Sequence, residues 1–456
     1  MGSAVDVAKE WVCEVLRLAQ SGEGIALWEG RALFIPGVFP GERILARRTS
    51  HPQRAELVQI REASPARRAP PCPHFEHCGG CDWMALEEAQ QREFKQSLMV
   101  SNLERMGGIP EGSYALYPMA FNQNLWGYRR RARLGRAGRR LGFRLRSSAA
   151  CTPLEFCPLL VPALQHLPGA FCEAWGEGAM GELEELELLE GQGEVALGLR
   201  LNCKLQDRHM RLAQRVRRGL NIAGLWLQGR GGAVGKEEGR VYLRDWGFAY
   251  MHPAVFAQSN GAMNIQLLRT LRAWMQALVE DIGHASVLEL FCGNGNFTWA
   301  ISRLVRELWA IEANPLAIHL AQKMGAEKAR TLQSLNAPGH PPPNAAMRFI
   351  VGDVARVVQG LIKEAKRFNC MVADPPRQGA PGIGRWAQQL GVQYVFYISC
   401  NPSSLARDAA ELQREGFAPL RLQLFDFFPQ THHAESLMVF AKTKDPLPPQ
   451  HPSPPP

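Results

Sequence analysis

The sequence predicts a multidomain α/β protein: a small antiparallel β-barrel, a mainly β central region and a carboxyl-terminal open sheet with helices on both faces. Its 456 residues, 46% of them apolar, suffice for two or three cores. Residues 11–61 alternate apolar and polar positions with frequent Gly and Pro (WVCEVLRL, GIALWEG, RALFIPG, ERILARR, AELVQIR), the period of short half-buried strands. After Met251, apolar strands alternate with helical segments, the pattern of a mostly parallel sheet.

Taken in order, residues 1–65 suit a five-stranded oligonucleotide-binding barrel. The proline-rich ASPARRAPPCP (63–73) then connects to a second domain at 66–245. Within it, 84–106 predict an amphipathic helix closed by Gly107 and Gly108, free to pack on the domain that follows, and 120–245 read mainly as strands. The third domain, 246–444, offers SVLELF, LWAIEA, RFIVGD, CMVADPP and QYVFYIS as strands, with helices expected near 297–306, 315–328, 354–367 and 402–415. The tail, 445–456, is proline-rich and expected to be disordered.

The net charge of +9 points to a polyanionic partner, and its distribution sharpens the point. No acid lies between Glu111 and Glu155, while Arg129, Arg130, Arg131, Arg133, Arg136, Arg139, Arg140, Arg144 and Arg146 share that stretch with Trp126, Tyr128 and Phe143. Cations beside aromatic platforms suit phosphates and unstacked bases, which makes Arg129, Arg130, Arg131 and Arg133 the candidate RNA contacts. The acids concentrate in GELEELELLEGQGE (181–194), expected as an exposed alternating face. Asp6, Lys9, Glu10, Glu14 and Arg17 interrupt the amino terminus, so no secretory signal is expected, and no apolar run is long enough for a membrane span. Eleven cysteines, an odd number, suit a reducing cytoplasm better than a disulfide framework. A monomer is expected.

In VLELFCGNGNF a strand carrying Glu289 runs into Gly293 and Gly295, which let the backbone approach a ligand. A nicotinamide fingerprint would place a third glycine where Thr298 stands, so the loop suits S-adenosylmethionine, which brings no pyrophosphate. The next strands end in Glu312, placed to accept ribose hydroxyls, in Asp353 near the expected adenine, and in Asp374 at the mouth. Any one of these acids could instead cap a helix.

In YVFYISCNPSSLARD, Cys400 ends an apolar strand just before a helix, whose amino terminus favours a thiolate. A thiolate adding to carbon 6 of uracil makes carbon 5 nucleophilic enough to attack a methyl sulfonium. A base must then remove the carbon 5 proton, and Glu435, His432 and His433 in DFFPQTHHAESLMVF are the candidates. Cys72, Cys78 and Cys81 in CPHFEHCGGC, with Cys151 or Cys157 as a distant fourth, could bind zinc or an iron-sulfur cluster. The CxxxCxxC spacing of radical S-adenosylmethionine enzymes is absent.

Together FAQSN (256–260), ELFCGNGNF (289–297), IEANPLAI (311–318), DPPRQG (374–379), SCNPSSLARD (399–408) and FPQTHHAE (428–435) resemble the RNA (uracil-5-)-methyltransferase family across all but the tail. The resemblance implies a Rossmann-like class I methyltransferase domain in which Gln258, Phe291, Asn296, Glu312, Asp353 and Asp374 hold S-adenosylmethionine. It further implies Cys400 as nucleophile and Glu435 as base. The barrel resembles a TRAM domain, and the family's iron-sulfur branch has a similar C-x5-CGGC with a distant Cys-Pro, which selects Cys157 and a [4Fe-4S] cluster. That branch implies 23S rRNA as substrate, with tRNA as the alternative. One departure is the proline-rich connector at 330–346. Amino-group methylation of a base and a catalytically silent RNA-binding module are the competing functions.

Overall fold

The computed structural model describes residues 9–146, 148–231, 235–245, 249–279, 282–334 and 346–443. The tail at 445–456 and positions 335–345 of the connector lie outside the described residues.

Near the amino terminus, Glu10–Glu14, Arg43–Arg48 and Ala55–Glu62 form one antiparallel sheet, and Arg17–Leu18, Gly24–Trp28 and Arg31–Ile35 form another. The first predicted strand breaks at Val15 and Leu16, whose backbone N–H groups donate to Glu42 and Ile25 respectively, so one stretch of chain serves both sheets. Inward residues such as Val15, Ala26, Leu33, Ile35, Ile44 and Ala46 fill a shared core.

Seven strands make the central sheet, in the order Cys151–Pro153, Arg140–Arg144, Arg131–Ala137, Leu183–Gly191, Glu194–Leu201, Gly224–Gln228, Lys236–Gly239. Helices Leu167–Trp175 and Asp207–Gly219 pack Phe171, Trp175, Ala213 and Val216 against its leucines. The region is therefore more helical than its strand-rich sequence predicts. The acidic segment is also not an exposed face. Leu183–Gly191 sits in the middle of the sheet, and Glu187 and Glu190 are buried at 8% and 7% exposure. Glu187 is held there by Arg131 and Arg133, so the acids thought distant from the arginine run neutralise part of it.

The carboxyl-terminal sheet orders eight strands as Ala346–Val351, Glu307–Glu312, Ser286–Leu290, Cys370–Ala373, Tyr394–Ser399, Glu435–Lys442, Phe417–Phe425, Ala115–Ala120. The first five are parallel, and Glu435–Lys442 runs antiparallel to both its neighbours. Chain order reverses between Ser286–Leu290 and Cys370–Ala373, the switch point at which such sheets open a ligand crevice. Val287 and Leu288 enter different cores, one on each face.

Helix Glu88–Gly107 ends at Gly108 in the left-handed conformation, as the glycine pair predicts. It buries Met99 and Leu103 in the same core as Leu405 and Leu412 of helix Pro402–Arg414, and Ala115–Ala120 joins the carboxyl-terminal sheet. Helix Glu88–Gly107 and strand Ala115–Ala120 thus pack with the carboxyl-terminal unit, the docking open to this helix from its sequence. No helix among the described residues is long and apolar enough to cross a membrane.

Candidate active site

Cys400 follows the last residue of Tyr394–Ser399, and Glu435 is the first of the antiparallel neighbour. Ser399 pairs with Ser436, and the Ser436 hydroxyl donates to the Ser399 carbonyl at 3.1 Å, so the register places nucleophile and base candidates side by side at one sheet edge. Cys400 lines a pocket of about 410 Å³ with Lys95, Met99, Arg377, His432 and His433. Asn401 caps the following helix by accepting from Ser403 N at 3.1 Å, and its amide also donates to the Arg377 carbonyl at 2.8 Å. Gln20 of the amino-terminal barrel donates to Asn401 at 2.6 Å, so the barrel reaches the edge of the pocket.

The electrostatics differ from the simple expectation of a helix-activated thiolate. Burial, then Glu435 and Asp374, push the Cys400 thiol up to about 12, against a smaller opposing pull from Arg377. Burial likewise raises Glu435 well above the usual carboxylate range and Asp374 to about 7. Arg377 opposes the rise at both Cys400 and Glu435; the DPPRQG motif contains it, but sequence reasoning did not single it out. Burial, with His432 next in line, pushes His433 down to about 3, leaving a neutral ring that cannot compete as a charged partner. His432 pairs through Nδ1 with Asp82.

Five of the six candidate cofactor residues, Phe291, Asn296, Glu312, Asp353 and Asp374, stand at or just after the carboxyl ends of parallel strands, and Gln258 precedes helix Gly261–Leu278. Phe291 has a left-handed backbone, φ 60°, in the loop where Gly293 and Gly295 have φ 54° and 85°. A non-glycine residue held there is the strain that ligand loops carry. Glu312 accepts from Gly293 N at 3.1 Å and Asn314 N at 2.8 Å, fixing its carboxylate at the strand end. Asp353 is exposed and accepts from Arg356 N at 3.0 Å as a helix cap, the competing role open to it from its position. Asn296 exchanges two 2.9 Å hydrogen bonds with Asn264. Gln258 Oε1 and Glu289 Oε1 are buried without a hydrogen-bond partner among the described residues. An unsatisfied buried acceptor at Gln258 fits a site whose ligand brings a donor, such as the ammonium of an amino-acid moiety.

The arginine run divides. Arg130 is 2% exposed, pairs with Asp245, and donates from Nε to the Gln258 carbonyl at 2.9 Å. It therefore orders the segment that carries Gln258, and its buried, paired side chain is not offered to a phosphate, which removes it from the exposed candidate RNA contacts. Arg129 lies over Phe143 and beside Cys81, and Arg131 shares Glu187 with Arg133. Of the four candidates, Arg133 keeps an exposed side chain, at 55%.

Cys72, Cys78, Cys81 and Cys157 line one small cavity, whereas the Cys151 sulfur faces Gly135, so of the two distant candidates it is Cys157 that joins the cluster. Burial raises the thiols of Cys72, Cys78 and Cys81, and Arg129 opposes this at Cys78 and Cys81.

The 23S rRNA (uracil(1939)-C(5))-methyltransferase RlmD of Pseudomonas entomophila is 31% identical to this chain over 453 residues, covering 96% of this chain and 94% of its own. The protein of the same name from Shewanella sediminis is 29% identical, covering 96% and 97%. The chain belongs to the RNA (uracil-5-)-methyltransferase family. The profile of the family described as tRNA (Uracil-5-)-methyltransferase matches residues 236–443. The crystal structure of Pyrococcus abyssi tRNA (uracil-54, C5)-methyltransferase with S-adenosyl-L-homocysteine covers 94% of this chain and 100% of its own, with TM-score 0.68 and 20% identity. That likeness shows that the methyltransferase fold of the family extends over this chain, β-rich amino-terminal region included.

Proposed function

We propose that this chain methylates carbon 5 of a uridine in 23S rRNA, with S-adenosylmethionine as methyl donor. The observation that carries this reading is the strand register that sets Cys400 beside Glu435 at neighbouring strand ends, with Cys400 lining a pocket. The full-length likeness to enzymes named for 23S rRNA directs the choice of RNA.

Cys400 as thiolate adds to carbon 6 of the target uracil, and the ring electrons move to give an enolate. Carbon 5 attacks the methyl group as the carbon–sulfur bond of the sulfonium breaks, leaving neutral S-adenosylhomocysteine. Glu435 as carboxylate takes the carbon 5 proton, the double bond re-forms, and Cys400 leaves as thiolate. Burial favours the protonated form of both groups. A bound sulfonium cation would favour the charged forms that the reaction needs. Gln258, Phe291, Asn296, Glu312, Asp353 and Asp374 hold the donor.

Cys72, Cys78, Cys81 and Cys157 hold a [4Fe-4S] cluster in this reading. The four thiols line one small cavity, and four soft thiolate donors suit either zinc or an iron-sulfur cluster; the family resemblance directs the choice to the cluster. The barrel serves as a TRAM domain for RNA, and the enzyme acts as a cytoplasmic monomer.

The mechanism gives two mutants different phenotypes. Glu435→Gln still adds and methylates but cannot remove the proton, so it accumulates a protein–RNA adduct carrying label from methyl-tritiated S-adenosylmethionine. Cys400→Ala gives neither product nor adduct, and the double mutant gives no adduct. In-vitro-transcribed 23S rRNA and a denaturing gel check this; turnover of Glu435→Gln at the wild-type rate with no adduct would transfer the base role elsewhere.

A further inference from the structure

Two cavities meet at the His432 ring. The Cys400 pocket and a larger cavity of about 520 Å³, bounded by the barrel, the cysteine segment and the arginine-bearing strands, have Ser21, His432 and His433 in common. The larger cavity presents Arg54, Arg133, Arg144 and Phe143, the residue types that hold a ribonucleotide strand. His432 lies with its ring centroid 3.9 Å from that of His433, and 21% of its side chain is exposed.

Asp82 holds this histidine with both carboxylate oxygens. Oδ1 accepts from the His432 backbone N–H at 3.1 Å, and Oδ2 pairs with Nδ1. A carboxylate only accepts, so Nδ1 carries the proton. Trp83 repeats the link: its backbone N–H donates to the Gln430 carbonyl at 3.0 Å, and its indole N–H donates to the Gly22 carbonyl at 2.9 Å. Gly22 has φ +82°, and a Cβ there would collide with Asp82 Oδ2 and His432 Nδ1. A barrel turn, the residue after Cys81 and the approach to Glu435 thus converge on one point.

We propose that Asp82 is a positioning residue of the active site, fixing the His432 ring as the wall between the Cys400 pocket and the larger cavity. An RNA strand lying in the larger cavity then presents its target base to Cys400 in one orientation. This rests on the uridine-methylation reading of the same site. It also explains why the cysteine segment is built beside catalysis: Asp82 follows Cys81 directly, and Glu435 lies three residues beyond His432.

Hydrogen exchange by mass spectrometry on the full-length protein, purified without oxygen and with iron content recorded, reads the 426–434 segment directly. Asp82→Ala is expected to speed exchange there about tenfold, because a bond to the His432 amide itself is lost. Asp82→Asn, whose Oδ1 can still accept from the His432 amide while its Nδ2 donates to Nδ1 of the other imidazole tautomer, keeps wild-type protection, and Gly22→Ala reproduces the Asp82→Ala pattern. With in-vitro-transcribed 23S rRNA, Asp82→Ala lowers kcat roughly ten- to hundredfold, the scale of a small misplacement of reacting groups. S-adenosylmethionine affinity and iron content stay at wild-type values. Wild-type exchange in Asp82→Ala, or an undiminished kcat, overturns the role. A wild-type protein that leaves the transcript unmethylated overturns the functional reading alone, and the exchange experiment still decides on Asp82.

Discussion

Glu289, Asp374, Cys400 and Glu435 converge at the carboxyl edge of the parallel strands, and burial raises the pKa of each. Glu289 is the one whose consequence can be isolated, because Thr298 donates to one oxygen at 2.6 Å and the other has no partner among the described residues. Its pKa rises from 4.5 to about 8 on folding, so the folded state binds this proton more tightly than the unfolded state. The stability from burying it neutral is fully present below pH 4.5 and is lost as pH rises through about 8. Each pH unit in that window removes at most about 1.4 kcal/mol. Glu289→Gln keeps the Thr298 bond without the proton, so thermal unfolding of the variant should fall less between pH 6 and pH 9 than that of the wild type. Parallel falls would mean that Glu289 is ionised in the fold.

At the scale of elements, helix Glu88–Gly107 fastens the chain that leads into Glu435. Lys95 donates to Asp426 at 2.6 Å and to the Phe428 carbonyl at 3.0 Å, with both charged side chains at 2% exposure or less. Gln91 exchanges hydrogen bonds with Gln430, whose backbone is left-handed at φ 73°. Lys95→Ala leaves Asp426 buried and unpaired, a loss of about 3–5 kcal/mol. Urea unfolding of Lys95→Ala and of the double variant Lys95→Met, Asp426→Leu should show the double recovering most of that loss. A double variant no more stable than the single would mean that the packing of the aliphatic lysine stem, not the ion pair, holds the helix.

Across the whole molecule, the arginine-rich strands present an inner and an outer set. Arg130 is locked to Asp245, whereas Arg133, Arg139, Arg140 and Arg144 keep side chains at least 55% exposed even with an acid nearby. Replacing Arg133 and Arg144 with glutamine should therefore reduce the slope of log affinity against log salt by about 0.7 per phosphate contact removed. Arg130→Ala should leave that slope unchanged and lower stability and S-adenosylmethionine affinity instead, since it removes the cation that neutralises Asp245, to which Asn264 also donates, and frees the Gln258 segment. Filter binding of in-vitro-transcribed 23S rRNA at several salt concentrations separates the two sets; a slope that changes with Arg130 would place it at the RNA.

The glycine loop at 293–295, Cys400 before Asn401 and Pro402, and the CPHFEHCGGC spacing were legible in the sequence because their chemistry is local: strand ends, tight turns and thiol spacing are set by neighbouring residues. The alternation of strand and helix after Met251 was legible for the same reason, since periodicity records which face is buried. What periodicity cannot record is the partner. Arg130 and Asp245, Lys95 and Asp426, and Asp82 and His432 are separated by 115, 331 and 350 residues. Only the closed tertiary structure decides that three arginines of the run pair with buried acids, that a helix at 88–107 belongs to a sheet three hundred residues away, and that Cys157 rather than Cys151 turns toward the other thiols. Burial makes that difference: desolvation commits a charged or polar group to whatever lies opposite it, and what lies opposite is a property of packing, not of the neighbouring sequence.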